Sequence, residues 1–156
     1  MATTVASATL KVTLKEDIVL NGRQQGSESV LSIPSINEIS KRILTIPTSE
    51  IEIIAMSTAV ASGTYIESDV RYIRITNLDD TNHITLTFKN ENSDEFAIKL
   101  DKGQSYIYNG DMDGGGVDTM DAIDGTGLTL SLGDLVNITA LADTAACDLE
   151  VFVASA

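Results

Sequence analysis

Residues 69–108 read DVRYIRITNLDDTNHITLTFKNENSDEFAIKLDKGQSYIY, and apolar and polar residues alternate through four short runs of this stretch. The runs are Val70–Thr76, Ile84–Phe88, Phe96–Leu100 and Ser105–Tyr108. A two-residue period sends successive side chains to opposite faces of a strand, so each run predicts a strand with one buried face. Ile84, Leu86 and Phe88 share a face with Thr85 and Thr87 opposite; Phe96, Ile98 and Leu100 repeat the scheme against Ala97 and Lys99. Polar clusters at 77–82 and 90–94, and a tight Asp101-Lys-Gly103, supply the connections. Together they predict an antiparallel meander with one buried face.

The same alternation extends outward. Leu10, Val12 and Leu14 alternate with Thr9, Lys11, Thr13 and Lys15, and Ile18–Leu20 runs into Asn21-Gly22, a dipeptide that tolerates positive φ. Residues 23–28 read as a polar turn, and the strand around Val30–Ile33 is expected to end at Pro34. Between Pro34 and Pro47 two signals compete. Ser35 and Glu38 form a capping-box pattern with Ile36, Ile39 and Ile43 at helical spacing, whereas Arg42-Ile-Leu-Thr-Ile46 is β-rich. The expectation is a strand over 41–46 after a short helical turn. Further strands are expected at Ile51–Ala55, Leu128–Leu132, Leu135–Leu141 and Leu149–Val153, with a small-residue stretch at 59–64 and one long Gly/Asp-rich loop at 109–127. About ten short strands without a repeat or a composition break predict an all-β, single-domain antiparallel β-sandwich over 1–156, jelly-roll-like. Residues 1–8 (MATTVASA) are read as a flexible N-terminal arm.

Ten Lys and Arg stand against 23 Asp and Glu, for a formal charge of −13. Such a field repels nucleic acid and anionic membranes, so neither is expected as a partner. No Lys or Arg follows Lys102, while nine acids do. This asymmetry serves solubility or offers an acidic face to a basic partner. No run approaches the roughly 18 apolar residues of a membrane span, and the start lacks the basic, apolar pattern of a signal peptide. The single Cys147 lies in TAACDLEVFV, where it reads as a small buried hydrophobe.

The chemistry-bearing residues are sparse. Asp111, Asp113, Asp118, Asp121 and Asp124 surround Gly114–Gly116 in the long loop, but the spacing fits no calcium loop and no glutamate closes a ring. The same glycines precede no lysine, so they form no phosphate loop. His83 is the single histidine, with Asp79 and Asp80 nearest in sequence, and that cluster reads as turn chemistry. Arg71 and Arg74 fall on opposite faces of one strand, with one of them expected to pair with a carboxylate on an adjacent strand. Tyr106 and Tyr108 share a face and, with Tyr65 and Tyr72, could offer a sugar platform; packing is the competing reading. No serine-hydrolase elbow, CxxC pair or HExxH is present. The expectation is a non-enzyme with no catalytic, cofactor-binding or metal residue and no cofactor.

RYIRITNLDDTNHITLTF (71–88), DEFAIKLDKGQSYIY (94–108) and TAACDLEVFVAS (144–155), with VTLKEDIVLNG (12–22) and KRILTIPTSE (41–50), resemble a group of small virion proteins encoded by tailed bacteriophages, especially those of marine and cyanobacterial hosts. The resemblance spans nearly the whole chain and is weakest over 109–127. It brings no catalytic residue with it. It implies a structural part of the virion, made in the host cytoplasm: a capsid decoration or cement protein on the assembled head. The alternative it leaves is an accessory of the tail or fibres, including a host glycan-binding adhesion module. The implied partners are other virion proteins, the major capsid protein or tail proteins, and further copies of the chain, a trimer among the options.

Overall fold

The structure, a computed structural model, describes residues 4–122 and 132–156. Its elements are strands: β1 (Ala8–Lys15), β2 (Val19–Leu20), β3 (Arg23–Gln24), β4 (Glu28–Ile36), β5 (Glu38–Ile46), β6 (Ile51–Ser57), β7 (Tyr65–Ile66), β8 (Val70–Asn77), β9 (Ile84–Asn90), β10 (Glu95–Leu100), β11 (Ser105–Tyr108), β12 (Leu135–Ala142) and β13 (Cys147–Ser155). One sheet has the order β11-β8-β13-β5 and the other β10-β9-β12-β6, with short β7 joined in parallel to β6. Apart from β7, every pairing in the two sheets is antiparallel. Two four-stranded sheets in this order make a jelly-roll sandwich, as the alternation predicts.

The four runs of 70–108 do not form the expected meander. β8 and β11 pair in one sheet, Ser105 opposite Thr76 and Tyr108 opposite Ile73, while β9 and β10 pair in the other. Period-two alternation records only that one face is buried. Because both sheets bury their inner faces in the same core, the pattern cannot distinguish a neighbour in the sheet from one across the core.

That core holds Phe88, Leu86, Ile84, Ile73, Ile75, Ile138, Leu149 and Val151, all essentially inaccessible to solvent. Phe88 sits at its aromatic centre, stacked on Phe96 at 4.8 Å between centroids and tilted against Tyr106 at 5.1 Å. Buried asparagines end two strands. Asn77 donates to the carbonyls of Asn82 and Leu100, and Asn90 to that of Met120, while their side-chain oxygens accept from Asp79 N and from Asn92 N and Asp94 N. Each satisfies backbone groups that the turn would otherwise strand in a buried place.

No helical turn occurs over 35–40. β4 runs through Pro34 to Ile36, and β5 begins after a single residue, Asn37. Between the pairs Leu10–Ile33 and Ala8–Ile36, Thr9 on β1 faces two residues, Pro34 and Ser35, on β4. This is a β-bulge. It accommodates a proline that cannot donate to the ladder, and Ser35 takes φ 63° to turn the chain. The Ile36/Ile39/Ile43 spacing is coincidental, since a strand corner lies between its members. Residues 23–28 are likewise no simple turn: β2 and β3 close on Asn21-Gly22 (φ 51° and 75°) as the tip of a long β1–β4 hairpin. The expected strand at Leu128–Leu132 lies outside the described residues except Leu132, which is in no strand; Met1–Thr3 of the expected arm also lies outside them.

Phe88→Ala is expected to lower stability by about 3–5 kcal/mol, the range for emptying an aromatic site in a packed core. Leu14→Ala, at a residue 56% exposed on the hairpin, should change it by less than about 0.5 kcal/mol. Urea unfolding of both variants measures the contrast; equal losses would mean the hairpin belongs to the cooperative core.

Candidate functional site

The distinctive surface lies on the outer face of the β11-β8-β13-β5 sheet. Alternate residues there point away from the sandwich: Tyr72, Arg74 and Thr76 on β8, Ala154, Phe152 and Glu150 on β13, Ile107 on β11, and Ile39, Lys41 and Ile43 on β5. The β1–β4 hairpin crosses this face and buries a second small core of Ile33, Ile36, Tyr72 and Ala154, flanked by Leu10, Val12, Leu31 and Phe152. Tyr72 meets Phe152 edge-on at 6.0 Å and 71°. Burial raises the Tyr72 hydroxyl pKa, against the opposing pull of nearby Arg74.

Arg74 lies under this hairpin and donates to Glu150 Oε1 at 2.6 Å and to Thr76 Oγ1 at 2.5 Å, with its guanidinium 5.8 Å from the Phe152 ring centroid. Lys41 approaches the other Glu150 oxygen at 3.5 Å. The Arg74 hydrogen bond first, then the Arg74 and Lys41 charges, hold the Glu150 carboxyl below its usual range despite partial burial. This is the cross-strand pair expected of one of the two arginines. Arg71 sits at a bulge opposite Ala154–Ser155 and instead donates to the carbonyls of Ser68 and Asp113, anchoring the start of the 109–127 segment. Between the hairpin and the sheet an open groove of about 340 Å³ is lined by Leu10, Lys11, Val12, Thr13, Tyr72, Arg74, Ile107 and Phe152. A second, about 150 Å³, lies under Val12, Leu14 and Leu31 beside Ile107 and Asn109.

The other candidates are placed differently. Tyr106 and Tyr108 face the main core against Phe88, and Tyr108 hydrogen-bonds Thr119; burial is the leading reason its hydroxyl pKa is raised. They form no platform with Tyr72, which faces the opposite side of its sheet. The carboxylate of Asp111 accepts from Asp113 N at 2.7 Å and Gly114 N at 3.0 Å, and these donors lower its pKa. Backbone bonds between Asp111 and Gly115 close the turn. Gly115 has φ 65°, and a Cβ there would lie 2.5 Å from the Glu67 carbonyl, so glycine is required. Asp118 N donates to Asp134 Oδ1, and Asp124 lies outside the described residues. Among the described residues no group of three His, Cys, Asp or Glu could hold a metal ion.

His83 Nδ1 faces Asp143 at 3.5 Å, not Asp79. Asp79 instead accepts from Thr81 N and Asn82 N, which lower its pKa. Cys147 is buried, as read from sequence, and donates toward Ala145 O; burial first and neighbouring carboxylates second raise its thiol pKa. Glu67 was not singled out by the sequence. It is half-buried beside Asp134 and Glu91, and desolvation followed by those two charges raises its pKa. No sequence signal marks it, because the three acids come from separate connections. The outer-face core left only a partial signal: Tyr72 on β8 and Phe152 and Ala154 on β13 interrupt outer parities that otherwise carry Arg74, Thr76, Asp148 and Glu150.

No family model matches the chain, and no curated protein does. Among solved structures, a protein of Bacillus endospore appendages, described as a novel family of disulfide-linked pili, is similar at 9% identity and a TM-score of 0.42, over 99% of this chain and 96% of its own.

Two carboxyls predict opposite pH behaviour. Glu150 has a lowered folded pKa, so its contribution is present above its unfolded value of 4.5 and is lost as pH falls through the folded value. Glu67 has a raised folded pKa, so the folded state is favoured when it is protonated and weakened as pH rises through that value. Denaturation midpoints should therefore fall for Glu150→Gln and rise for Glu67→Gln at pH 7. The first difference should shrink below pH 4.5, and the second should close as pH descends toward 4.5. Calcium or a chelator is expected to leave the thermal midpoint unchanged; a calcium-dependent rise would show that the 109–127 segment takes the ion.

Proposed function

We propose that the protein is a non-enzymatic structural component of a phage virion, a decoration or cement protein that docks on the assembled head. The observation that carries the structural part of this reading is the β1–β4 hairpin. It is an ordered arm laid across one sheet that continues beyond it with apolar residues in solvent, among them Val19 at 64% and Leu20 at 59% exposure. Such a surface makes sense where another protein covers it. The virion assignment rests on the resemblance of 12–22, 41–50, 71–88, 94–108 and 144–155. A compact acidic jelly roll suits a part copied many times on a shell, where like charge keeps free copies apart until they dock. The partners in this reading are the major capsid protein and further copies of the chain. The inward-facing Tyr106 and Tyr108 weigh against the glycan-binding alternative.

The test is sedimentation of the tagged chain with heads and tails purified separately from a tailed phage encoding it. Saturable pelleting with heads at a constant ratio is expected. Pelleting with tails alone would move the protein to the tail or fibres, and pelleting with neither would refute a virion role.

A further inference from the structure

β10 is an end strand: among the described residues it pairs with β9 alone, so its other side is an open edge. An open edge carries backbone groups without a ladder partner, and here their direction follows from the adjoining turn. Asn90 N donates to Asp94 O at 3.1 Å, which makes these two a hydrogen-bonded pair. Such pairs alternate along an antiparallel ladder. Through the unbroken register, Phe88–Phe96, Leu86–Ile98 and Ile84–Leu100 are therefore the bonded pairs. Glu95, Ala97 and Lys99 turn their N–H and C=O groups away from β9, out of the edge.

The side chains of this strand are complementary to themselves. Glu95 and Lys99 stand at equal distances on either side of Ala97, and so do Phe96 and Ile98. Laid antiparallel on a second copy about a two-fold axis at Ala97, the strand sets Glu95 opposite Lys99 of that copy and Phe96 opposite its Ile98. Directly opposed residues share a face. The glutamate–lysine pairs thus fall on the outer face. Phe96 and Ile98, each half-buried against the main core, extend that core across the joint. The outward residues Glu95, Ala97 and Lys99 would exchange about six backbone hydrogen bonds with their counterparts.

Charge selects both the occupant and the register. Moving the axis to Glu95 or to Lys99 opposes like charges, and moving it to Ile98 sets Glu95 against Asp101. The chain as a whole is −13, which repels a second copy, but the joint itself is cationic. Lys89 Nζ lies 3.3 Å from Glu95 Oε1 on the neighbouring strand, so pairing gathers the Lys89 and Lys99 of both copies around two Glu95 carboxylates. The flanking acids are engaged in their own turns: Asp94 accepts from Asn90 Nδ2 and Asp101 from Lys102 N.

We propose that the open edge of β10 is a pairing surface for a second copy of this chain, joining two sheets into one across a two-fold axis at Ala97. The contact is isologous, so it closes at two copies and leaves no open β10 edge. It supplies a surface for the further copies in the structural-component reading, and rests on that reading only for a role in a particle.

The test is mass-resolved light scattering, over a dilution series, of wild type, Glu95→Lys, Lys99→Glu and Ala97→Pro, with circular dichroism checking that each folds. Ala97→Pro removes an N–H that the sheet does not use. Wild type is expected at twice the 16.6 kDa protomer mass. Each charge reversal should weaken the dimer roughly 10-fold or more, since two cross-strand pairs turn from attraction to repulsion, and Ala97→Pro should abolish it. An equimolar mixture of Glu95→Lys and Lys99→Glu should return to the dimer mass, because both cross-strand pairs again join opposite charges. A monomeric wild type, a dimer that survives Ala97→Pro, or a mixture no heavier than its components would each overturn the pairing. A monomer that pellets with heads would spare the virion role, and a dimer that pellets with neither heads nor tails would refute that role alone.

Discussion

Two four-stranded sheets bury their inner faces in each other, and the other features of the fold follow from that closure. With no tryptophan and three phenylalanines in the chain, the core is aliphatic and takes its shape from one aromatic centre, Phe88, between Phe96 and the two tyrosines of β11. Once Tyr106 and Tyr108 are drawn into that stack, β11 must lie beside β8, across the core from β9 and β10. The β8–β9 and β10–β11 connections then cross between sheets, and buried Asn77, donating to the carbonyls of Asn82 and Leu100, secures both; Asn90 holds the β9–β10 turn within one sheet.

The outer face follows from the same closure. β8 and β13 lie at the centre of their sheet, and covering only the inner side would leave Tyr72, Phe152 and Ala154 in water. The β1–β4 hairpin covers them, at the price of a bulge at Pro34–Ser35 that swings β4 out of the plane of β5. Arg74 is held on the outer face by Glu150, Thr76 and the Phe152 ring, which lets a guanidinium sit beside the second core. The hairpin is longer than the sheet it covers. That excess, rather than any pocket of reactive side chains, distinguishes this surface from an ordinary sandwich face.

The acidic residues divide by environment. Asp79 and Asp111 accept backbone N–H groups in tight turns and so stabilise the turns that hold them. Glu67 gathers near Asp134 and Glu91 where separate connections converge, and its charge opposes folding there. Among the described residues no three of the clustered aspartates come together as a metal ligand set, and Asp111 accepts the N–H groups of its own turn.

Strand content, the sandwich class and much of the inner core were legible in the residue pattern, because period-two alternation is a local record of which face is dry. Tyr72, Phe152 and Ala154, apolar at otherwise polar outer positions of 70–77 and 147–155, carried a trace of the outer core. The folded chain alone settles which strands are neighbours, since in-sheet and cross-core partners bury the same residues and leave identical patterns. It also decided the path of 34–38, where a bulge with a positive φ overrode a helical spacing of isoleucines. And it decided the place of the arm, because the exposure of Val19 and Leu20 follows from where a hairpin runs out over a sheet, a distance in space that no spacing along the chain encodes.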